Sequence, residues 1–137
     1  MKHLKLILSI LFIFCLTRTY ADDSNYLFRH YQVENGLSDN MATCCVQDRK
    51  GYIWIGTRSG LFAMKEGSKE LLQYTTADGL PSNVIYGIME DAYARLWIST
   101  NQGLSCLNPE NGKFRNFTIL DGLQGNQFNA GSYCRQD

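Results

Sequence analysis

Alternating apolar and polar positions dominate the chain after residue 21 and predict β-strands. Residues 52–57 (Tyr-Ile-Trp-Ile-Gly-Thr) and 95–100 (Arg-Leu-Trp-Ile-Ser-Thr) show the two-residue period most clearly. Each segment is preceded by an apolar run and followed by turn residues and two more strand-like segments. No stretch with a helical period occurs after residue 21. The first strands of the two halves are predicted at 43–47 and 84–90, and the fourth strands at about 70–74 and 113–118.

The chain also repeats itself with a step of 43 residues, because an Asn/Asp-Gly-Leu tripeptide places glycines at positions 36, 79 and 122. A period of about 40–45 residues, rich in aromatic and β-branched residues, is that of one four-stranded propeller blade. We therefore predict an all-β fold of two antiparallel blades, at about 33–75 and 76–118, and a partial third blade at about 119–137. The predicted structural residues of the repeat are Gly36, Leu37, Asn40, Asp48, Trp54, Gly60, Gly79, Leu80, Asn83, Asp91, Trp97, Gly103, Gly122, Leu123 and Asn126.

Asp48 and Asp91 each open the turn between the first two strands of a repeat. A carboxylate at this place accepts backbone N–H bonds from the residues that follow. Gly51 supplies a left-handed conformation at little steric cost, but the second copy has Ala94 there. The second turn is therefore predicted to be either strained or differently shaped.

The first 21 residues have the features of a secretory signal peptide, with Lys2 and Lys5 before an apolar core at 6–16 and Ala21 at the expected cleavage site. The apolar core has 11 residues, whereas a transmembrane helix needs about 20. We predict cleavage after Ala21 and export to the periplasm. An uncleaved anchor is the alternative.

The number and distribution of charged residues argue against nucleic-acid binding. Three of the 13 basic residues lie in the first 21 positions, so 10 basic and 13 acidic residues remain after cleavage. Because charges of both signs are scattered, nucleic acid is not an expected partner. The remaining chain has no second apolar stretch of the length that spans a membrane.

Four cysteines remain after cleavage, Cys44, Cys45, Cys106 and Cys134, and their spacing is not that of a metal site. We favour packing as small buried hydrophobes. A disulfide, for example between Cys106 and Cys134, is the alternative, because spacing alone does not fix connectivity.

The sequence offers little catalytic chemistry, and we predict no catalytic, metal-binding or cofactor-binding residue. His30 is the one histidine left after cleavage, which weakens any Ser-His-Asp or Cys-His scheme. Asp48 and Asp91 could be imagined as a general acid and base, but each occupies the same turn of its own repeat, which favours a structural role. Trp54 and Trp97 recur among apolar neighbours and are interpreted as packing between blades.

The repeated motif resembles the two-component regulator propeller repeat. It is carried by Asn35-Gly36-Leu37-Ser38-x-Asn40 with 48–61 (Asp-x-x-Gly-x-Ile-Trp-Ile-Gly-Thr-x-x-Gly-Leu), and again by Asp78-Gly79-Leu80-Pro81-x-Asn83 with 91–104. The resemblance implies the periplasmic sensor part of a hybrid two-component histidine kinase, in which propellers precede a membrane helix, a kinase and receiver parts.

Two further segments resemble the first and last blades of such a sensor propeller. Residues 122–129 resemble the opening of a last blade, and residues 28–31 resemble the lead-in to a first blade. A truncated or internally deleted receptor is therefore the hypothesis.

The expected function is that of a non-catalytic fragment of a periplasmic ligand-sensing propeller, with an oligosaccharide as the ligand of the intact parent. One alternative is a free-standing secreted binding module that pairs with further blades or with copies of itself. Another is part of a propeller enzyme acting on polysaccharide. Ligand contacts would come from the non-repeated loop residues Arg58, Ser59, Asn101 and Gln102, for which a plain solvated turn is the competing interpretation.

Overall fold

The computed structural model describes residues 41–65, 67–68, 70–129 and 131. Several predictions fall outside these residues: the signal peptide at 1–21, His30, Gly36, Leu37, Asn40 and Cys134. Within the described part, no helix is long and apolar enough to cross a membrane.

Among the described residues, eight strands form two four-stranded antiparallel sheets, each a simple meander. This confirms the prediction of two four-stranded antiparallel blades. The first sheet contains β1 (Ala42–Gln47), β2 (Tyr52–Thr57), β3 (Leu61–Lys65) and β4 (Leu71–Tyr74), and the second contains β5 (Ile85–Glu90), β6 (Leu96–Thr100), β7 (Gly103–Asn108) and β8 (Lys113–Phe117). A 3-10 turn, Ile119–Asp121, follows β8.

Observed strand ends differ from the predicted ends by one residue in several places. The end of β8 has a clear cause, because Thr118 is the N-cap of the 3-10 turn and has left the sheet. Its hydroxyl accepts the N–H of Leu120, and its own N–H donates to the carboxylate of Asp121.

The hydrophobic core lies between the two sheets. Trp54, Leu61 and Ala63 project from the first sheet, since alternate side chains of a strand share one face. The buried side chains of the second sheet in this core are Ile85, Ile88, Leu96, Ile98 and Leu107. Burying a side chain of this size contributes about 1.5–3 kcal/mol, so packing of one sheet on the other stabilises both.

The first strands of the two sheets, β1 and β5, lie side by side. The Thr43 hydroxyl donates to the backbone oxygen of Ile85 at 2.7 Å and also lies 3.0 Å from the Gly56 oxygen. A Cβ atom at Gly56 would come within 2.7 Å of the Ile85 side chain. Glycine at this position therefore permits the close approach of the sheets.

The opposite face of the first sheet carries Phe62 and Met64, which alternate with the core residues. Phe62 is 0% exposed and Met64 is 4% exposed. The first sheet is thus buried on both faces at β3.

In each antiparallel meander, successive connections between strands lie alternately at the two ends of the sheet. We call the end with the β1–β2 and β3–β4 turns the turn end, and the other the loop end. Arg49, in the β1–β2 turn, donates to the backbone oxygens of Ala92 at 3.0 Å and Asp91 at 3.1 Å in the β5–β6 turn. The two turn ends therefore lie together, and so do the two loop ends.

Candidate functional site

The Asp48 carboxylate accepts hydrogen bonds from the β1–β2 turn and from β2. One carboxylate oxygen accepts the N–H groups of Lys50 and Tyr52, both at 2.9 Å, and the other accepts Nε1–H of Trp54 at 2.8 Å. The residue is 7% exposed. This arrangement ties the turn to the strand that carries the core tryptophan, and it leaves the carboxylate poorly placed for acid–base chemistry.

Asp91 repeats the arrangement in the second blade. Its carboxylate accepts the N–H groups of Tyr93 at 2.8 Å and Arg95 at 3.0 Å, and Nε1–H of Trp97 at 2.9 Å. The Arg95 guanidinium adds contacts at 2.7 Å. Burial by itself would raise the pKa of Asp91, but the hydrogen bonds from Arg95, Trp97 and Tyr93 outweigh it and hold that pKa well below its usual range.

The second turn has the same backbone shape as the first. Gly51 has φ +80° and Ala94 has φ +58°, so alanine occupies the left-handed region there. Of the two predicted outcomes, the structure has the strained one, because a Cβ atom makes this conformation unfavourable.

Trp54 and Trp97 differ in their surroundings although they occupy equivalent positions. Trp54 is 2% exposed and lies in the core between the sheets. Trp97 is half-buried and stacks on Phe117 of its own blade, with ring centroids 5.5 Å apart. Packing between blades is thus observed for Trp54, and for Trp97 it stays a prediction.

Gly60 and Gly103 occupy places that only glycine fits. Their φ angles are +139° and +125°, and a Cβ atom would come within 2.7 Å of the Tyr74 oxygen or 2.5 Å of the Phe117 oxygen. Each turn is completed by a threonine hydroxyl that donates to the glycine oxygen. These bonds are Thr57 to Gly60 at 3.0 Å and Thr100 to Gly103 at 2.8 Å.

At the loop end, the segment 75–83 joins the two blades. The Asp78 carboxylate accepts the N–H of Thr75 at 2.8 Å, and the Asn83 side-chain oxygen accepts the N–H of Thr76 at 2.8 Å. Gly79 turns the chain with φ +117°, and Leu80 then enters the core at 4% exposure.

The segment 118–126 repeats this geometry after the second blade. Asn126 accepts the N–H of Ile119 at 2.9 Å, and Gly122 turns the chain with φ +96°. Leu123 is half-buried, whereas its equivalent in the first copy is fully buried. Phe128 donates its N–H to the Thr100 oxygen at 3.1 Å, so the chain lies against the second blade at this point.

The turns at the loop end carry polar side chains. Arg58 and Gln102 are exposed, and Ser59 is half-buried. The Asn101 side-chain oxygen is buried and has no hydrogen-bond partner within the described part of the chain. Next to these turns, the segment 122–129 surrounds an open cleft of about 490 Å³ whose lining includes the amides of Gln124 and Gln127. Amide groups in a cleft suit a ligand rich in hydroxyl groups.

The cysteines behave differently from one another. Cys44, Cys45 and Cys106 all have free thiols, so the alternative of a disulfide from Cys106 to Cys134 is not what the structure shows. Cys106 is buried, and Cys44 packs against the core. Burial raises the pKa of the Cys44 and Cys106 thiols. The packing prediction is wrong for Cys45, which is exposed because it points to the opposite face from Cys44.

No metal centre is found in the part of the chain that the structure describes, where no group of three or more His, Cys, Asp and Glu side chains could hold an ion.

Comparison with known proteins identifies the repeat. The two-component regulator propeller family matches at residues 36–59 and 79–102. Histidine kinase P4 of Formosa agariphila is 34% identical over 61 residues, which cover 44% of this chain and 4% of that protein.

Two solved structures from B. thetaiotaomicron are similar in fold. The extracellular domain of a hybrid two component system superposes with a TM-score of 0.70 and 25% identity, covering 77% of this chain and 14% of that one. The extracellular domain of a one component system superposes with a TM-score of 0.57 and 22% identity, covering 65% of this chain and 12% of that one. The chain is therefore far shorter than the proteins it matches, and two of its segments match the two-component regulator propeller repeat.

Proposed function

We propose that this chain is part of the extracytoplasmic, ligand-sensing propeller of a two-component signal-transduction receptor and has no catalytic activity of its own. The observation that carries the proposal is the family match at residues 36–59 and 79–102 together with the fold of each repeat as a four-stranded sheet. The two sheets present their loop ends on one side, where a rigid scaffold can position binding residues.

The proposed ligand is an oligosaccharide. Its support is the chemistry of the loop end, which combines the exposed amide of Gln102 with the amide-lined cleft at 122–129. A side-chain amide both donates to and accepts from sugar hydroxyls, and each such hydrogen bond contributes about 0.5–1.5 kcal/mol.

Calorimetric titration of the chain that begins at Asp22 with a panel of neutral and acidic oligosaccharides tests the proposal. We expect one class to bind, and Asn101→Ala and Gln102→Ala to weaken its binding by about tenfold, the loss of one or two good hydrogen bonds. Asn111→Ala is the matched control, because Asn111 is an exposed amide in the β7–β8 turn at the turn end. Equal weakening in the control, or no binding by any oligosaccharide, would contradict the proposal.

The alternative of a polysaccharide-acting enzyme is tested in the same samples. Mass spectrometry of each oligosaccharide after overnight incubation would detect shortened products. The appearance of such products, and their loss in Asp48→Asn or Asp91→Asn variants that circular dichroism shows to be folded, would favour a glycosidase over a sensor.

The proposal also includes export of the chain to the periplasm and its origin as a fragment of a receptor. We expect the protein recovered from the periplasm of an expressing Gram-negative bacterium to begin at Asp22, and intact-mass measurement would reveal this. Sequencing of the gene and its surroundings addresses the truncated or internally deleted receptor. Uninterrupted receptor coding sequence around these repeats would refute the truncation.

A further inference from the structure

A small cleft lies between the two blades at the turn end, away from the loop end where the oligosaccharide is proposed to bind. It has a volume of about 200 Å³, and its lining includes the rings of Tyr52, Trp54 and Tyr74 from the first blade. Pro109, in the β7–β8 turn, lines it from the second blade. Both blades that form the cleft are therefore part of this chain.

The aromatic rings of the cleft form a continuous row along one face of the first blade. The ring centroids of Tyr52 and Trp54 are 6.4 Å apart, and those of Trp54 and Tyr74 are 5.9 Å apart. Phe114 of the second blade continues the row, with its centroid 5.9 Å from that of Tyr74. Aromatic rings at such separations attract one another through offset or edge-on contacts. A ligand with an aromatic ring would extend this row into the cleft.

The cleft exists because a small residue lies between two large ones. In the register of the sheet, Ala63 pairs with Trp54 on one side and with Leu72 on the other, so its short side chain leaves a depression. Leu72 also lines the cleft and is 53% exposed, which leaves apolar surface in contact with water. A ring seated beside Leu72 would cover part of this surface, and burial of apolar surface is favourable.

The apolar lining is particular to the first blade. The 43-residue step replaces Tyr52, Ala63 and Leu72 by Arg95, Cys106 and Arg115. Trp54 and Tyr74 keep aromatic equivalents in the second blade. The repeat therefore folds into a four-stranded sheet with either set of residues, and folding of the sheet does not account for the apolar set in the first blade.

The charged groups that line the cleft already have partners within the protein. The Lys50 ammonium pairs with the Glu110 carboxylate at 2.8 Å. The Asp48 carboxylate accepts three hydrogen bonds, from two backbone N–H groups and from the Trp54 indole. A charged ligand would have to compete with these contacts and lose its own hydration. A neutral ligand suits the cleft better.

The volume of the cleft limits the size of the ligand. A cavity of about 150 Å³ with apolar walls holds benzene, so this cleft has room for one ring with a small substituent. We propose that the cleft is a second ligand site, which binds a small neutral compound with a single aromatic ring, such as a phenol. The bound ring contacts both blades, because Pro109 and the aromatic row lie on different blades. The inference is independent of the oligosaccharide at the loop end.

Fluorine NMR of para-fluorophenol, titrated with the chain that begins at Asp22, tests the proposal. We expect saturable binding with a Kd of about 1 mM, as is reasonable for so small a ligand. The related compounds para-fluorobenzoate and para-fluorobenzylamine add a negative or a positive charge to the ring, and both should bind at least about fivefold more weakly. Cyclohexanol has a similar size but no aromatic ring, and it should compete about threefold less well than phenol.

The indole N–H signals in nitrogen-15 NMR spectra locate the bound ring. The chain has two tryptophans, and Trp54 lines the cleft whereas Trp97 belongs to the second blade. A Trp97→Phe variant assigns the two signals. We expect para-fluorophenol to shift the Trp54 signal and to leave the Trp97 signal in place.

A pair of matched substitutions tests the apolar wall. Leu72→Arg gives the first blade the residue that the second blade has at this position, and it should weaken binding at least about fivefold. Leu120→Arg is the control, because Leu120 is an exposed leucine at the loop end. This variant should leave the affinity unchanged. Circular dichroism establishes that both variants fold.

Four results would overturn the proposal: no saturable binding up to about 10 mM, a shift of the Trp97 signal in place of the Trp54 signal, unchanged affinity in Leu72→Arg, or tighter binding of either charged ring. Equal competition by cyclohexanol would also overturn it, since the site would then have no preference for aromatic rings. The Trp54 signal of the unsubstituted chain decides the matter even where Leu72→Arg does not fold. The oligosaccharide titration has a separate readout, so failure there is distinguishable from failure here.

Discussion

Substitution of Asp48 by alanine is expected to destabilise the fold strongly. The change removes an acceptor of three hydrogen bonds, from Lys50 N–H, Tyr52 N–H and Trp54 Nε1–H. Because Trp54 is fully buried, its indole N–H would be left without a partner, which costs about 1–3 kcal/mol. The two backbone donors regain water in part. We therefore expect a loss of about 3–4 kcal/mol in the free energy of unfolding, a large fraction of a typical domain's stability.

Urea unfolding followed by far-ultraviolet circular dichroism measures this loss. With a denaturant slope of about 1–3 kcal/mol per molar, the midpoint should fall by at least about 1 M. Asp48→Asn separates the contributions, because the amide oxygen can still accept the backbone N–H groups while its NH₂ faces the indole donor. This variant should lose only about 1–2 kcal/mol.

A double-mutant cycle with Trp54→Phe isolates the bond between the carboxylate and the indole. The double variant Asp48→Ala/Trp54→Phe should be more stable than additivity predicts by about 1–3 kcal/mol, since no buried donor is left unpaired. Asp91→Ala is the matched substitution in the second blade, where half-exposed Trp97 can find water, and it should cost less. A loss below about 0.5 kcal/mol in Asp48→Ala, or additive effects in the cycle, would refute the reasoning.

Three further predictions concern the turns. Gly103→Ala should cost at least about 2 kcal/mol in urea unfolding, because φ is +125° and the new Cβ would meet the Phe117 oxygen, whereas Gly112→Ala, with open space around it, should cost less. Ala94→Gly should raise the thermal midpoint slightly by relieving the left-handed alanine, and an unchanged or lower midpoint would argue against strain there. Since the pKa of Asp91 is depressed in the folded state, its carboxylate stabilises the fold above its unfolded pKa of about 4, and this contribution is lost as pH falls below that value. Asp91→Asn should therefore flatten the pH dependence of stability below about pH 4, and an identical pH profile would contradict this.

Much of the fold could be predicted from the sequence because its signals are local. Alternation within 52–57 and 95–100 indicated strands, and the step of 43 residues indicated equal blades, since equal local sequences make equal turns and hairpins. The bonds from Asp48 and Asp91 to the tryptophans six residues later were less accessible. The repeated Asp and Trp pointed to a shared structural role, but not to a hydrogen bond between them.

What the sequence could not decide depends on contacts across the chain. Trp54 and Trp97 have the same local surroundings, yet one is buried and the other half-exposed, because burial is set by the sheet that packs opposite. Likewise, Cys44 and Cys45 are adjacent and chemically identical, and only the direction of each side chain relative to the second sheet separates them. The sequence by itself thus determined the repeating unit and its turns. The tertiary structure decided which faces are covered, because the free energy of burial arises between residues that are distant in the chain.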